Sequence, residues 1–262
     1  MADLKILGSC SGTEPMLNRH HTSIVLTVNG RNYFFDAGEN CAHTAYTQGV
    51  DMMATRAIFI SHTHYDHVGG LMGLFFTINK LCTRSGEKPA DNELKLFIPR
   101  LDLWDCFSKA INVTLGCSDP LFAVAVNKPD IGEFYKDENI RVWAFESHHI
   151  PADENGNIQA FSYRIEADGK TIVFSGDVKD MNDLISTVGS GCDVLLCETG
   201  HHKVEDVCTF AENNNVKRLV FIHHGREILE ERPTVRASIK KCKIPVTISI
   251  DGTSISTDTF CD

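Results

Sequence analysis

Histidine dominates the chemistry open to this sequence. Twelve histidines occur in 262 residues, and all but His43 fall into groups. His62, His64 and His67 lie within six residues, with Asp66 between the last two. The other eight form four doublets: His20-His21, His148-His149, His201-His202 and His223-His224. Borderline divalent cations such as zinc select imidazole and carboxylate ligands. A His-x-His pair alone is a weak signal, because alternate side chains of any extended segment share a face. The string His62-Thr63-His64-Tyr65-Asp66-His67 is far stronger, since six residues offer four donors directly after an apolar run. The competing explanation is a histidine-rich surface turn.

Cysteine adds little to this. The ten cysteines include no C-x-x-C pair, so a cysteine-rich zinc site lacks its usual spacing. They read as reduced and mostly buried thiols.

The elements that must position the histidines are legible in outline. Residues 4–7 form a short apolar strand leading into Gly8-Ser9-Cys10-Ser11-Gly12-Thr13. Residues 23–28 and 31–35 flank Asn29-Gly30, a strong two-residue hairpin signal. Residues 57–61 read as a buried strand that delivers the histidine string. Helical spacing of apolar residues follows over 69–82, then a polar loop over 85–93, a strand at 94–98 and a helix at 101–111. A strand at 141–146 delivers the second doublet. A hairpin over 159–166 and 170–175 turns at Asp168-Gly169, and strands at 194–197 and 218–222 enclose a helix at 203–214. A last strand covers 246–250. No repeat and no linker divides the chain, so residues 1–262 read as a single domain of two sheets, each covered by helices on its outer face. The apolar stretch Leu121-Phe122-Ala123-Val124 is open between core, lid and interface.

Composition bounds the function. The net charge is −10, from 25 basic and 35 acidic residues, which lowers the expectation of a large nucleic-acid partner, normally gripped by a basic face. No apolar run approaches the roughly 20 residues of a membrane span, and the start of the sequence has no signal-peptide pattern. These features predict a cytoplasmic protein without a membrane partner.

With the motifs in view, HTHYDH resembles the signature of the metallo-β-lactamase-fold hydrolases. Four further stations of that superfamily occur in order: Asp36 after the opening hairpin, a His before Pro151, Asp177 in Ser175-Gly176-Asp177, and a His ending the strand Val220-Phe221-Ile222. The resemblance implies an α/β fold, a four-layer αββα sandwich of two mixed sheets with helices on the outer faces. It implies two divalent metal ions, zinc with manganese as the alternative. His62, His64 and His148 would hold one ion; Asp66, His67 and His223 the other; Asp177 would bridge them. His148 is preferred to His149 because the family pattern is His-x-x-Pro. His223 is preferred to His224 because it directly follows the apolar strand. The unchosen partners are expected at a polar rim. Asp36 would orient the metal loop without ligating, and Asp36 and Glu39 are the expected acceptors for the ligands' other ring nitrogens.

Within the superfamily, Phe35-Asp36-Ala37-Gly38-Glu39 and the Gly-rich opening loop resemble the phosphodiesterase branch that includes ribonuclease Z. Cys197-Glu198-Thr199-Gly200-His201-His202 is similar to a segment in which a His protonates the leaving oxygen, so His201 and His202 join Asp66 as expected catalytic residues. Counting back from Ala211 favours His201. His64 occupies a position where iron redox members carry Glu, which argues against redox chemistry, and β-lactam hydrolysis does not suit a chain without an export signal. Residues 148–177 hold only a hairpin, with no room for the long tRNA-clamping arm of ribonuclease Z.

The expectation is therefore a two-metal phosphodiesterase, in which a bridging hydroxide attacks a small phosphodiester such as a cyclic nucleotide. The alternatives are tRNA 3′ processing with RNA as partner, thioester hydrolysis, and a metal-binding module without turnover. Family analogy suggests a homodimer.

Overall fold

The computed structural model describes residues 2–89, 92–115 and 121–257. Its first half contains β1 (Ala2–Gly8), β2 (Ser23–Val28), β3 (Arg31–Phe35), α1 (Cys41–Thr47), β4 (Thr55–Phe59), α2 (Tyr65–Val68), α3 (Leu71–Ser85), β5 (Glu93–Phe97), α4 (Leu101–Leu115) and β6 (Ala123–Asn127). The second half contains β7 (Gly132–Lys136), β8 (Ile140–Glu146), β9 (Phe161–Ala167), β10 (Lys170–Phe174), α5 (Ile185–Val188), β11 (Cys192–Thr199), α6 (Val204–Asn213), β12 (Val216–His224), α7 (Arg226–Leu229), α8 (Pro233–Lys241), β13 (Val246–Ile248) and β14 (Ser254–Ser256).

The strands form two seven-stranded sheets, β14-β1-β2-β3-β4-β5-β6 and β13-β12-β11-β10-β9-β8-β7. Both are mixed. In the first, β3 pairs antiparallel with β2 and parallel with β4; in the second, β10 pairs antiparallel with β9 and parallel with β11. At Asn29-Gly30 both residues take positive φ, 50° and 73°, as a tight hairpin requires.

Alternation along each strand builds three apolar layers. Leu4, Ile6, Ile24, Leu26, Tyr33, Phe35, Ala57 and Phe59 face inward and meet Tyr163, Ile165, Ile172, Phe174, Val194, Leu196, Val220 and Ile222 of the other sheet. Their neighbours Val25, Phe34 and Ile58 face outward and pack under α1, α3 and α4, against Ala45, Leu71, Leu74, Ile78 and Ile111. On the other side Val173, Leu195, Leu219 and Phe221 pack beneath Val207, Ala211 and Val235 of α6 and α8. This is the αββα sandwich expected from the sequence. α3 shows how sequence sets an element: Leu71, Leu74, Phe75, Ile78 and Cys82 repeat at helical spacing, and Gly86 ends the helix at φ 75°.

The predicted elements are present, with ends shifted by a few residues. The strands β6, β7 and β14 and the helices α1, α2, α5, α7 and α8 have no counterpart among the elements expected from the sequence. The stretch beginning at Leu121 leads into β6 at a sheet edge, where Phe122 is buried and Leu121 remains exposed. Cys117 and Cys261 lie outside the described residues. Among the described residues, no helix is long and apolar enough to cross a membrane.

Candidate metal centre

The histidine string leaves the end of β4 in a fixed direction because Asp36 receives it. Asp36 is fully buried, with φ 58°. Its Oδ1 accepts the Ser61 amide at 2.6 Å, and its Oδ2 accepts the Ser61 hydroxyl at 2.7 Å and Nδ1 of His67 at 2.6 Å. A left-handed conformation at a non-glycine residue costs energy, and buried hydrogen bonds of this kind hold it in place. The expected orienting role of Asp36 agrees with this geometry, whereas Glu39 makes no hydrogen bond to the cluster among the described residues. His62 and His64 come next to each other, Nε2 to Nδ1 at 3.0 Å, and α2 carries Asp66 and His67 on one side. The Gly-rich loop closes against Asp66: a Cβ at Gly12 would sit 3.0 Å from its carboxyl carbon.

The second sheet contributes the remaining donors, with one change from expectation. His148 is exposed and turned away, its Nδ1 on Asp183 at 2.7 Å and its amide on the same carboxylate. His149 lies in the cluster instead, with Nε2 3.3 Å from Nδ1 of His64 and 3.6 Å from Oδ2 of Asp177. The cause is local. β8 ends at Glu146, and Ser147, whose hydroxyl donates to the Asp177 carbonyl, starts a turn that resets which face each residue takes. The member of the doublet that lies in the cluster is therefore His149, whereas the family spacing to Pro151 points to His148.

His223 reaches the cluster through a break in the ladder. β12 pairs with β11 in regular register as far as Glu198 with Ile222, and the next pair is Thr199 with His224. His223 is the extra residue, with φ 46°. Bulges of this kind re-aim a side chain next to a functional site. Gly200 is required opposite it, because a Cβ there would lie 2.5 Å from Nδ1 of His223. His224, expected at a polar rim, is fully buried: its Nε2 bonds the Ser249 carbonyl at 2.8 Å, and its amide bonds the Ser9 carbonyl at 2.8 Å.

Among the described residues, three groups of donor atoms result: His62, His64, His149 and Asp177; Asp66, His67 and His223; and Asp177, Glu198, His201 and His223, of which the first two hold the residues of the histidine string. In the first, His62 Nε2 is 3.0 Å from His64 Nδ1 and 3.6 Å from Asp177 Oδ2, with His149 completing the set. In the second, Asp66 Oδ2 is 3.4 Å from His67 Nε2 and 3.1 Å from His223 Nε2, while Asp177 Oδ1 is 3.4 and 3.3 Å from the same two nitrogens. Four ligands set about 2.0–2.1 Å from a tetrahedral centre are separated by roughly 3.3–3.4 Å. The donors of both sets are spaced to hold a cation. His67 Nε2 and Asp177 Oδ1 are buried without a hydrogen-bond partner, a costly condition that a cation would relieve. With Nδ1 of His67 given to Asp36, its Nε2 offers a lone pair to the cluster.

Electrostatics in the cluster agrees with this. Burial, then the neighbouring His67, push His62 well below the usual histidine range. Burial would also lower His67, but Asp177 and Asp36 outweigh it and raise the ring well above that range. Burial would raise Asp177, but His223 and His67 hold its carboxyl well below the carboxylate range. The carboxylate is thus ionised, and cation binding would displace protons from the raised histidines.

Beside the donors stands a Glu–His pair. Glu198 is fully buried; Oε2 accepts Nδ1 of His201 at 2.8 Å and its amide at 2.9 Å, and Oε1 accepts the Val178 amide at 2.8 Å. Hydrogen bonding to Glu198 raises His201. His201 Nε2 has no hydrogen bond among the described residues, whereas His202 Nε2 bonds the Val178 carbonyl at 3.0 Å. Glu198 is not among the site residues expected from the sequence, although a lone Glu in an apolar strand next to a His doublet marks it.

Known proteins resemble this chain along most of its length. The family model described as anti-Pycsar protein Apyc1 matches residues 2–239. Ribonuclease Z of Methanothermobacter thermautotrophicus is 23% identical over 278 residues, covering 85% of this chain and 86% of that one. Among solved structures, human tRNase Z, short form, superposes with a TM-score of 0.74 at 21% identity, covering 97% of this chain and 98% of the other. The metallo-β-lactamase fold protein YhfI from Bacillus subtilis gives a TM-score of 0.74 at 13% identity, with coverage of 97% and 98%. The fold is that of the metallo-β-lactamases.

Proposed function

This chain, a metallo-β-lactamase-fold hydrolase, belongs to the anti-Pycsar protein Apyc1 family, and on that premise we propose that it is a two-metal phosphodiesterase acting on a small phosphodiester such as a cyclic nucleotide. The observation that carries the proposal is the pair of donor sets joined by Asp177, whose Oδ2 faces the first and whose Oδ1 faces His67 and His223 of the second, with His67 Nε2 and Asp177 Oδ1 buried without a hydrogen-bond partner. His62, His64, His149 and Asp177 would hold one cation, and Asp66, His67, His223 and Asp177 the other. Zinc suits the donors, and manganese is the alternative. Such a pair, when bound, lowers the pKa of water and neutralises charge on attacking and leaving oxygens.

The chain's own residues divide the remaining work. Asp36 fixes the His67 tautomer and ring plane. Glu198 holds His201 through Nδ1, so that Nε2 is directed outward to give its proton to the leaving oxygen. Glu198 also supports the positive charge His201 carries before that transfer. His202 spends Nε2 on the Val178 carbonyl, which makes it a positioning residue and favours His201 as the donor.

The similarity to ribonuclease Z supports tRNA 3′ processing as the second reading. Against it stand the net charge of −10 and the span 148–177, which holds a turn and the β9–β10 hairpin. Turnover of bis(p-nitrophenyl) phosphate, cyclic nucleotides and a precursor tRNA, before and after chelation and after zinc or manganese is restored, tests both. Metal-dependent opening of cyclic nucleotides is expected. Accurate cleavage of the tRNA without activity on cyclic nucleotides would reverse the order, and no metal-dependent turnover of any phosphodiester would end the proposal.

A further inference from the structure

The first donor set takes His149 and Asp177 from the second sheet, and neither residue lies in a strand. His149 stands in the turn after β8, and Asp177 in the loop after β10. Backbone outside a ladder has no sheet hydrogen bonds to fix it, so other groups must hold a donor there in a usable position. Ser147 does part of this: its hydroxyl donates to the Asp177 carbonyl and accepts the His149 amide at 3.3 Å. Glu198 holds the next amide after Asp177, that of Val178.

A carboxylate outside the cluster meets both segments. Asp183 sits in one turn of 3-10 helix, Met181–Leu184, with its side chain only 9% exposed. It belongs to none of the donor groups among the described residues. Its Oδ2 accepts the His148 amide at 3.2 Å and the Lys179 amide at 3.0 Å. The first amide directly precedes His149, and the second lies two residues after Asp177. Oδ1 meets Nδ1 of the His148 ring at 2.7 Å, but that ring is exposed and water can stand in for it. The carboxylate is itself held in place, because the adjoining Leu184 is fully buried in the apolar layer that contains Val173 and Leu195.

We propose that Asp183 is a positioning residue for the first cation: through Oδ2 it clasps the turn of His149 to the loop of Asp177, and so holds His149 Nε2 and Asp177 Oδ2 at their separation of 3.6 Å. The inference rests on the two-metal reading of the cluster. Groups that orient ligands from behind are worth about 10–100-fold in metal affinity. The second set depends on Asp183 less, because His67 is oriented by Asp36 and His223 by the bulge in β12.

Asp183→Ala and Asp183→Asn, compared with wild type and with His149→Ala, test it. The readouts are zinc content against graded chelator and the visible spectrum of the cobalt-loaded protein, both independent of turnover. Asp183→Ala is expected to hold the first ion about 10–100-fold more weakly, and its one-ion cobalt spectrum should match that of His149→Ala. Asp183→Asn keeps a carbonyl oxygen able to accept both amides and should recover most of the loss. An Asp183→Asn as weak as Asp183→Ala would overturn the assignment. So would an equal loss of both ions in an Asp183→Ala whose metal-free thermal melt has also fallen, since Asp183 would then serve folding alone. A wild type that takes up no cation fails the two-metal reading itself, whereas two ions held equally by wild type and Asp183→Ala remove only the role of Asp183.

Discussion

Asp36 and His67, 31 residues apart in sequence, form a fully buried pair joined from Nδ1 to Oδ2 at 2.6 Å. The same carboxylate holds the amide and hydroxyl of Ser61. One side chain therefore sets both the exit of the histidine string from β4 and the orientation of a donor in it. Asp36→Asn keeps the shape but loses the charge. Partners of this kind are worth about 10–100-fold in metal affinity, so the variant should lose its ion at correspondingly lower chelator concentration. Unchanged retention by elemental analysis would show that Asp36 does not act through His67.

The two members of the 148–149 doublet separate cleanly by substitution. His149→Ala should lower metal content and activity together, because its Nε2 belongs to the first donor set. His148→Ala removes an exposed contact to Asp183 and should leave metal content unchanged. Elemental analysis of both variants reads the outcome directly, and the opposite pattern would restore the expectation drawn from the spacing to Pro151.

His201→Ala should keep its metal and lose rate by about 10²–10⁴, the usual worth of a general acid. The loss should be greatest for substrates with poor leaving groups. His202→Ala should cost less, since that ring is already bonded to the Val178 carbonyl. Rates measured across phosphodiesters of graded leaving-group pKa give the comparison, and a loss independent of leaving group would remove His201 from the role of proton donor.

At the other end of the molecule Asp137 accepts hydrogen bonds from the hydroxyls of Tyr33 and Tyr135 at 2.6 and 2.8 Å and from the amides of Asn139 and Ile140 at 2.8 and 2.9 Å. Burial pushes its carboxyl up, but these bonds, led by Tyr33, outweigh it and hold the group below its usual range. A carboxylate with a lower pKa folded than unfolded contributes stability above the unfolded value, 3.8, and loses it as pH falls through the folded value. Asp137→Asn should therefore cost about 1–3 kcal/mol at neutral pH. Thermal melts should show the gap to wild type closing as pH is taken well below 3.8. A gap constant with pH would mean that packing, not charge, is lost.

Much of the site is legible in the sequence because its donors sit at the ends of strongly apolar strands. His62, Asp177 and His223 each follow such a run, and Asp36 follows the hairpin that Asn29-Gly30 announces. The geometry that decides between neighbours is not legible in the same way. The turn at Ser147 and the bulge at His223 depend on hydrogen bonds to Asp177 and on a register slip against β11, and both partners are distant in sequence. Likewise His224 is buried because the Gly-rich loop and Ser249 close over it. The edge strands β6 and β7 are not legible in the sequence because each is only partly buried along its length, which blurs alternation.

The donors come from both sheets: His62, His64, Asp66 and His67 from the first, His149, Asp177 and His223 from the second. Away from the cluster, the inner faces meet largely through apolar side chains. An ion bound at the cluster would thus rivet the two halves together, adding a stabilisation that grows with free ion concentration. Substitutions that loosen the inner layer would then be tolerated when the ion is plentiful and exposed when it is scarce, so the range of sequences able to keep this fold depends on ion supply in the surroundings.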